Sequence, residues 1–141
     1  MSNVLAIPAA HNNARLTATQ VYADTGAGNS YFELYDNTRP AAGAAPGVTA
    51  VVTIVLDDPC GTIVSDKLRL TQQDPTGDLI ARDSDPAGVV WGRWFQPGGG
   101  GIVADFDVSD DAGDGFVKIV GAGGTVLYAG GRAIMGLCEL Q

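Results

Sequence analysis

From Tyr31 onward the chain is cut into short β-branched or aromatic runs by clusters of Gly, Pro and Asp, and this punctuation constrains the fold more than any other feature. Runs of five to nine residues bounded by such breakers are too short for long helices and suit antiparallel strands joined by turns. The candidate strands cover residues 31–35, 50–56, 62–70, 79–83, 89–95, 102–108, 115–120, 125–129 and 133–140. In Tyr31-Phe32-Glu33-Leu34-Tyr35, Phe32 and Leu34 point one way and Glu33 the other, the signature of a half-buried strand. In the last run Ile134, Cys138 and Leu140 share one face and Met135, Leu137 and Glu139 the other, which predicts a strand that is central or covered on both sides.

The acid composition agrees. Fourteen of the 16 acidic residues are Asp, and only Lys67 and Lys118 are lysines, whereas helix interiors favour Glu and Lys. One short helix is expected over residues 13–23, capped by Asn12 or Asn13, ended by Gly26-Ala27-Gly28, and carrying a thin apolar stripe of Ala14, Ala18, Val21 and Tyr22. The expected fold is therefore all-β, a mainly antiparallel β-sandwich or barrel with the sandwich preferred, plus one short N-terminal helix. At 141 residues a single domain is expected, with residues 1–30 as arm and helix and 31–141 as the β-sandwich.

A net charge of −8 repels phosphate backbones, so nucleic acid is not an expected partner. No apolar run approaches the ~18–20 residues of a membrane span, and Met1-Ser2-Asn3-Val4-Leu5-Ala6-Ile7-Pro8 lacks the basic start and long apolar stretch of a secretory signal. Cys60 and Cys138 do not form a CxxC pair and are expected as two buried thiols.

No motif for chemistry survives inspection. His11 is the sole histidine, so a zinc site lacks ligands and a Ser/His/Asp triad lacks a G-x-S-x-G elbow around Ser30, Ser65, Ser84 or Ser109. Residues 105–115, rich in Asp, resemble a calcium loop until the sixth position, Asp110 in place of Gly, and the twelfth, Phe116 in place of Glu; they are read as an acidic turn between two strands. Gly26-Ala27-Gly28 and Gly121-Ala122-Gly123-Gly124 lack the flanking elements of phosphate loops and are read as turns. No catalytic residue, cofactor or metal is expected, and the chain is read as a non-enzyme.

Trp91-Gly92-Arg93-Trp94-Phe95 is the densest aromatic cluster. On a strand Trp91, Arg93 and Phe95 share a face and Trp94 takes the other; core packing and an exposed Trp/Arg/Phe interface anchor are the two readings. The Pro/Ala/Gly stretch 40–47 and the Pro-Gly stretch 97–101 read either as a loop and a hairpin tip or as segments that order against a neighbouring subunit.

The order of elements resembles a group of small tailed-phage virion proteins. The resemblance rests on the Asn/Ala/Arg helix, the Gly-rich turn, Leu34-Tyr35-Asp36-Asn37-Thr38-Arg39-Pro40, the aromatic-Arg strand Val90-Trp91-Gly92-Arg93-Trp94-Phe95, and Val103-Ala104-Asp105-Phe106-Asp107-Val108. It spans nearly the whole chain by layout more than by identity. Asn37 stands where Gly is usual, and Pro97 with four glycines replaces the usual aspartate-rich turn. The resemblance implies a capsid decoration or minor capsid protein, or else a tail component. Trp91, Arg93, Phe95, Arg39 and Tyr35 are the candidate interface residues, with Arg39 paired to a nearby acid as the structural reading. The expected partners are the major capsid protein or other virion proteins and further copies of the chain, a trimer being favoured. The expected location is the capsid surface after synthesis in the host cytoplasm. A tail or head-tail junction protein is the first alternative, and a sugar- or calcium-binding module the second.

Overall fold

A computed structural model describes residues 5–141; the first four residues of the expected N-terminal arm lie outside the described residues. The chain is mostly β, with 38% of residues in strands and a single α-helix among those described. The elements are α1 (Ala9–Ala23), β1 (Tyr31–Tyr35), β2 (Val52–Val64), β3 (Lys67–Gln72), β4 (Asp78–Leu79), β5 (Trp91–Phe95), a 3₁₀ turn at Pro97–Gly99, β6 (Ile102–Asp110), β7 (Val117–Val120), β8 (Arg132–Met135) and β9 (Cys138–Leu140). The strands hydrogen-bond in one continuous order, β4-β8-β7-β6-β5-β1-β2-β3-β9. The sheet curls into a half-barrel. Past β4, Ile80 bridges Val52 and the Ala81 N–H donates to the Val51 carbonyl, bringing that end of the sheet back onto β2. Gln72 strengthens the return: its amide donates to Asp78 and the Ala133 carbonyl, and its Oε1 accepts from the Met135 N–H.

Several boundaries differ from the sequence expectation, each for a local reason. The helix starts at Ala9, four residues earlier than expected, because Pro8 at φ −68° sets up the first turn without a side-chain cap. Asn12 therefore sits inside the helix, and its side chain donates to the Asp66 carbonyl. Leu16 and Ala23 are the buried residues of α1, whereas Ala14, Ala18, Val21 and Tyr22 face solvent. The expected stripe is thus the outer face, since one leucine seated against β2 and β3 orients so short a helix. Residues 52–64 form one strand across Asp57-Asp58-Pro59, with a register irregularity between Leu56 and Gly61. The expected strand at 62–70 is instead a hairpin turned by Ser65 and Asp66, whose φ values of 50° and 63° supply the mirror-image turn that antiparallel strands prefer.

Residues 125–129 form no strand. Their backbone groups bond to the irregular segment 84–89 instead, through Val89 N–H to the Thr125 carbonyl and Ser84 N–H to the Leu127 carbonyl. The expected final strand divides at Gly136, whose N–H donates to the Lys118 carbonyl, so β8 pairs with β7 and β9 with β3. β9 is an edge strand and Leu137 is exposed; apolar residues on both faces of 133–140 reflect two strands in two places.

One pair is parallel. β6 and β7 run side by side with Val108 opposite Val117, although parallel neighbours usually need a crossover of a dozen or more residues. The chain makes the return over residues 111–116 by pressing against Ser109: a Cβ on Gly115 would stand 2.5 Å from the Ser109 nitrogen, and the Gly115 N–H donates to Ser109 Oγ. The acidic segment is accordingly strand as far as Asp110 and turn only beyond it.

The core lies inside the curl, with Phe32, Leu34, Ile54, Leu56, Leu68, Trp94, Phe106 and Ile119 among its members. Phe32 meets Trp94 edge-on at 5.7 Å and Phe106 at 4.8 Å between ring centroids. Cys60 and Cys138 are free, buried thiols, each pushed by burial up to about 12. Gly92 sits between Leu34 and Phe106 in the register, and a Cβ there would lie 2.6 Å from the Phe106 ring and 2.8 Å from Leu34 Cδ2. Among the described residues no helix is long and apolar enough to cross a membrane.

Gly92→Ala is expected to lower stability by about 1–3 kcal/mol through overpacking, read as a reduced urea midpoint with unchanged m-value. A thiol reagent at pH 8 is expected to leave Cys60 and Cys138 unmodified until the protein is unfolded, since burial and the raised pKa values leave almost no thiolate.

Candidate functional site

The outer face of β1, β5 and β6 carries three rows set by the register. Tyr31 lies opposite Phe95; Glu33 opposite Arg93, and Arg93 opposite Asp105; Tyr35 opposite Trp91, and Trp91 opposite Asp107. Strand alternation puts Trp91, Arg93 and Phe95 on this face and Trp94 in the core, as the sequence indicates. Tyr31 stacks on Phe95 at 5.2 Å and Tyr35 on Trp91 at 4.4 Å between centroids.

The central row holds a buried charge pair. Arg93 Nε lies 2.6 Å from Asp105 Oδ1 and Nη2 lies 3.1 Å from Oδ2, a two-point contact between side chains that are 3% and 5% exposed. The guanidinium also stands 5.3 Å from the Trp91 ring centroid and donates to the Ala44 carbonyl at 2.6 Å. Burial alone would raise the Asp105 carboxyl, but hydrogen bonds from Arg93 and the Gly43 N–H, with the Arg93 charge, outweigh it and hold the group below the usual carboxylate value. Tyr35 is displaced upward by burial and by its hydrogen bond to Glu33.

The Ala44 and Gly43 contacts show what covers this face. The loop over residues 36–48 folds back across β5 and β6, and the segment Asp36-Asn37-Thr38-Arg39-Pro40 ties it down. Asp36 accepts two 2.8 Å bonds from Arg82 and a third from the Asp85 N–H. Arg82 also donates to the Thr49 carbonyl, clamping both ends of the loop. Asn37 accepts from Trp91 Nε1 at 2.9 Å and donates to the Pro46 carbonyl at 2.7 Å. Asn37 therefore has work that Gly could not do. Arg39 pairs with Asp107 at 3.0 Å, both side chains solvent-exposed. The Arg82 hydrogen bonds hold the Asp36 carboxyl at about 2, below its ordinary 3.8.

The structure thus gathers Tyr35, Arg39, Trp91 and Arg93 into one cluster and places Phe95 at the far end of the same face. Tyr35, Trp91 and Arg93 are buried by the chain's own loop, so the exposed anchor considered from the sequence is closed over here. Among the described residues no group of three or more His, Cys, Asp or Glu is arranged to hold a metal ion. In the segment that resembles a calcium loop, Asp105 and Asp107 are engaged by arginines and Asp110 caps the Ala112 N–H.

A second surface was not singled out by the sequence. On the solvent side of β4, β8 and β7, Leu79 pairs with Arg132 and Ile134 with Val120, leaving Leu79, Ile134 and Val120 exposed around one arginine. Val120, Tyr128 and Arg132 border a depression of about 290 Å³ beside it. The signal was present in the alternation of Arg132-Ala133-Ile134-Met135, but reading 133–140 as one strand obscured it.

Arg93→Met is expected to cost about 3–5 kcal/mol by leaving Asp105 buried and unpaired, and Arg93→Met with Asp105→Leu is expected to recover part of it in urea melts. Because the folded Asp36 value lies below the unfolded one, its stabilising contribution is complete above pH 3.8 and is lost as pH falls toward about 2. Asp36→Asn is expected to flatten that part of the stability-versus-pH curve. Comparison with protein-family models, with curated proteins and with solved structures finds no match to this chain.

Proposed function

We propose that this chain is a structural protein of a tailed-phage virion, a non-enzymatic decoration protein that binds the major-capsid-protein lattice as a homo-oligomer, a trimer, and reinforces the shell. The observation that carries the reading is the exposed patch of Leu79, Val120 and Ile134 around Arg132 on the solvent face of β4, β8 and β7. Adjacent aliphatic side chains beside an arginine match the composition of a protein-binding surface better than that of a substrate cleft. The resemblance of its layout to small virion proteins supports it, and the Leu34 to Pro40 segment has a definite role here in pinning the 36–48 loop.

Four of the groups that chemistry could draw on are committed elsewhere. Both thiols are buried with values about 12, and Arg93 and Asp105 are spent on each other. An acidic exterior disfavours nucleic acid and helps keep particles apart. The half-barrel, with one end brought back onto β2, is read as a partly closed barrel in preference to a two-sheet sandwich.

The test is the copy number of the chain relative to the major capsid protein in purified particles, by quantitative mass spectrometry. Hundreds of copies per particle are expected; a few to some tens would move the protein to the tail or connector, and none would remove the virion reading. Leu79→Asp with Ile134→Asp is expected to fold, since both side chains are solvent-exposed, and to lose at least tenfold in particle binding by co-sedimentation.

A further inference from the structure

The curl of the sheet leaves a gap one side of which is β6 and the other β9. β7 pairs with β6 only at Val108–Asp110, so the stretch 102–107 is bonded to β5 on one side and to no strand on the other among the described residues. β9 pairs with β3 and ends the sheet. Between these two free edges lies an open groove of about 730 Å³ whose walls include Val103, Phe106, Phe116, Leu137 and Leu140. Trp94 also lines it, and among the described residues the buried Trp94 Nε1 finds no hydrogen-bond acceptor. Two edges without a strand partner facing one partly apolar groove present rows of backbone N–H and C=O groups that an added strand can pair along its length.

The chain carries a segment of the matching kind. Asn3-Val4-Leu5-Ala6-Ile7-Pro8 is uncharged and largely apolar, and it is as long as the six-residue free run of β6. Residues 5–8 belong to no helix or strand, and Leu5 is 87% exposed, so in one copy residues 5–8 are not seated in the groove. Pro8, which has no N–H to give a ladder, falls where such a strand would end and α1 begin. The lining carries little net charge, since Asp105, Asp107 and Glu139 are each paired with an arginine and Asp114 is set against Lys67 and Lys118, which suits an uncharged segment.

We propose that residues 3–8 of a second copy of this chain insert into this groove as an added strand between β6 and β9, completing the sheet and joining the copies by reciprocal or cyclic exchange. Strand pairing supplies the directional bonds, and Leu5 and Ile7, on one face by alternation, supply the apolar contact with the floor. The proposal does not rest on the virion reading, because it concerns how copies of the chain join and not what they bind.

The test uses the full-length chain. Leu5→Cys and Val103→Cys are made separately, mixed and oxidised; Cys60 and Cys138 are buried and stay silent. A disulfide between the two different chains is the expected result, together with an oligomer by light scattering that Leu5→Asp with Ile7→Asp converts to monomer without change in circular dichroism. A monomeric wild-type protein, an oligomer untouched by the aspartate substitutions, or the absence of a disulfide between the two mixed chains would each overturn it.

Discussion

An arginine and a carboxylate taken almost wholly out of water are costly unless each finds a partner that replaces its hydration, and the pair of Arg93 with Asp105 meets that requirement from three directions. Asp105 on β6 takes two of the guanidinium N–H groups, the Ala44 carbonyl a third, and the Trp91 ring lies beside its plane. The register puts Glu33 on β1 directly across from Arg93, adding a second carboxylate on the other side. Because one of the partners is a carbonyl from the 36–48 loop, the charge can be buried only when that loop is closed. The loop in turn is held by Asp36, Asn37 and Arg39, so a run of turn formers after β1 becomes the clasp of the outer face.

That arrangement divides the sheet's tasks between its faces. Inside the curl, Phe32, Trp94 and Phe106 interlock around the space left by Gly92, while outside it Tyr35 and Trp91 stack beneath the loop. The middle strands are thereby covered on both faces, and the parts of the sheet left open are its periphery. On one side β4, β8 and β7 show Leu79, Ile134 and Val120 to solvent; on the other, β6 and β9 face each other across an unfilled groove. The two proposed contacts, with a capsid lattice and with a second copy, fall on these separate regions and do not compete for surface.

Period-2 alternation made β1, β5 and β6 readable from the sequence, together with the division of Trp91, Arg93 and Phe95 from Trp94. Arg39 was read as paired with a nearby acid, and the pair with Asp107 is present. What alternation cannot encode is which loop comes back over a face: nothing local to 40–47 announces that Gly43 and Ala44 meet Asp105 and Arg93. The Ser65-Asp66 hairpin was hidden because residues other than Gly occupy its positive-φ positions, and the parallel return to β7 because its glycines read equally well as an ordinary acidic turn. In α1 the small residues at helical spacing outnumbered Leu16, yet one large side chain decided the buried face. The patch on β8 became visible only once Gly136 was seen to break the last strand.

Arg93 and Asp105 hold the 36–48 loop shut over the face of β1, β5 and β6. Native-state hydrogen exchange of the Gly43 amide, which donates to Asp105 Oδ2 at 3.1 Å, addresses it most directly. The account predicts protection within about tenfold of the β5 amides, because opening the loop requires exposing a buried charge. Exchange of Gly43 at the rate of an unstructured glycine, with β5 still protected, would show the loop open in solution and contradict it.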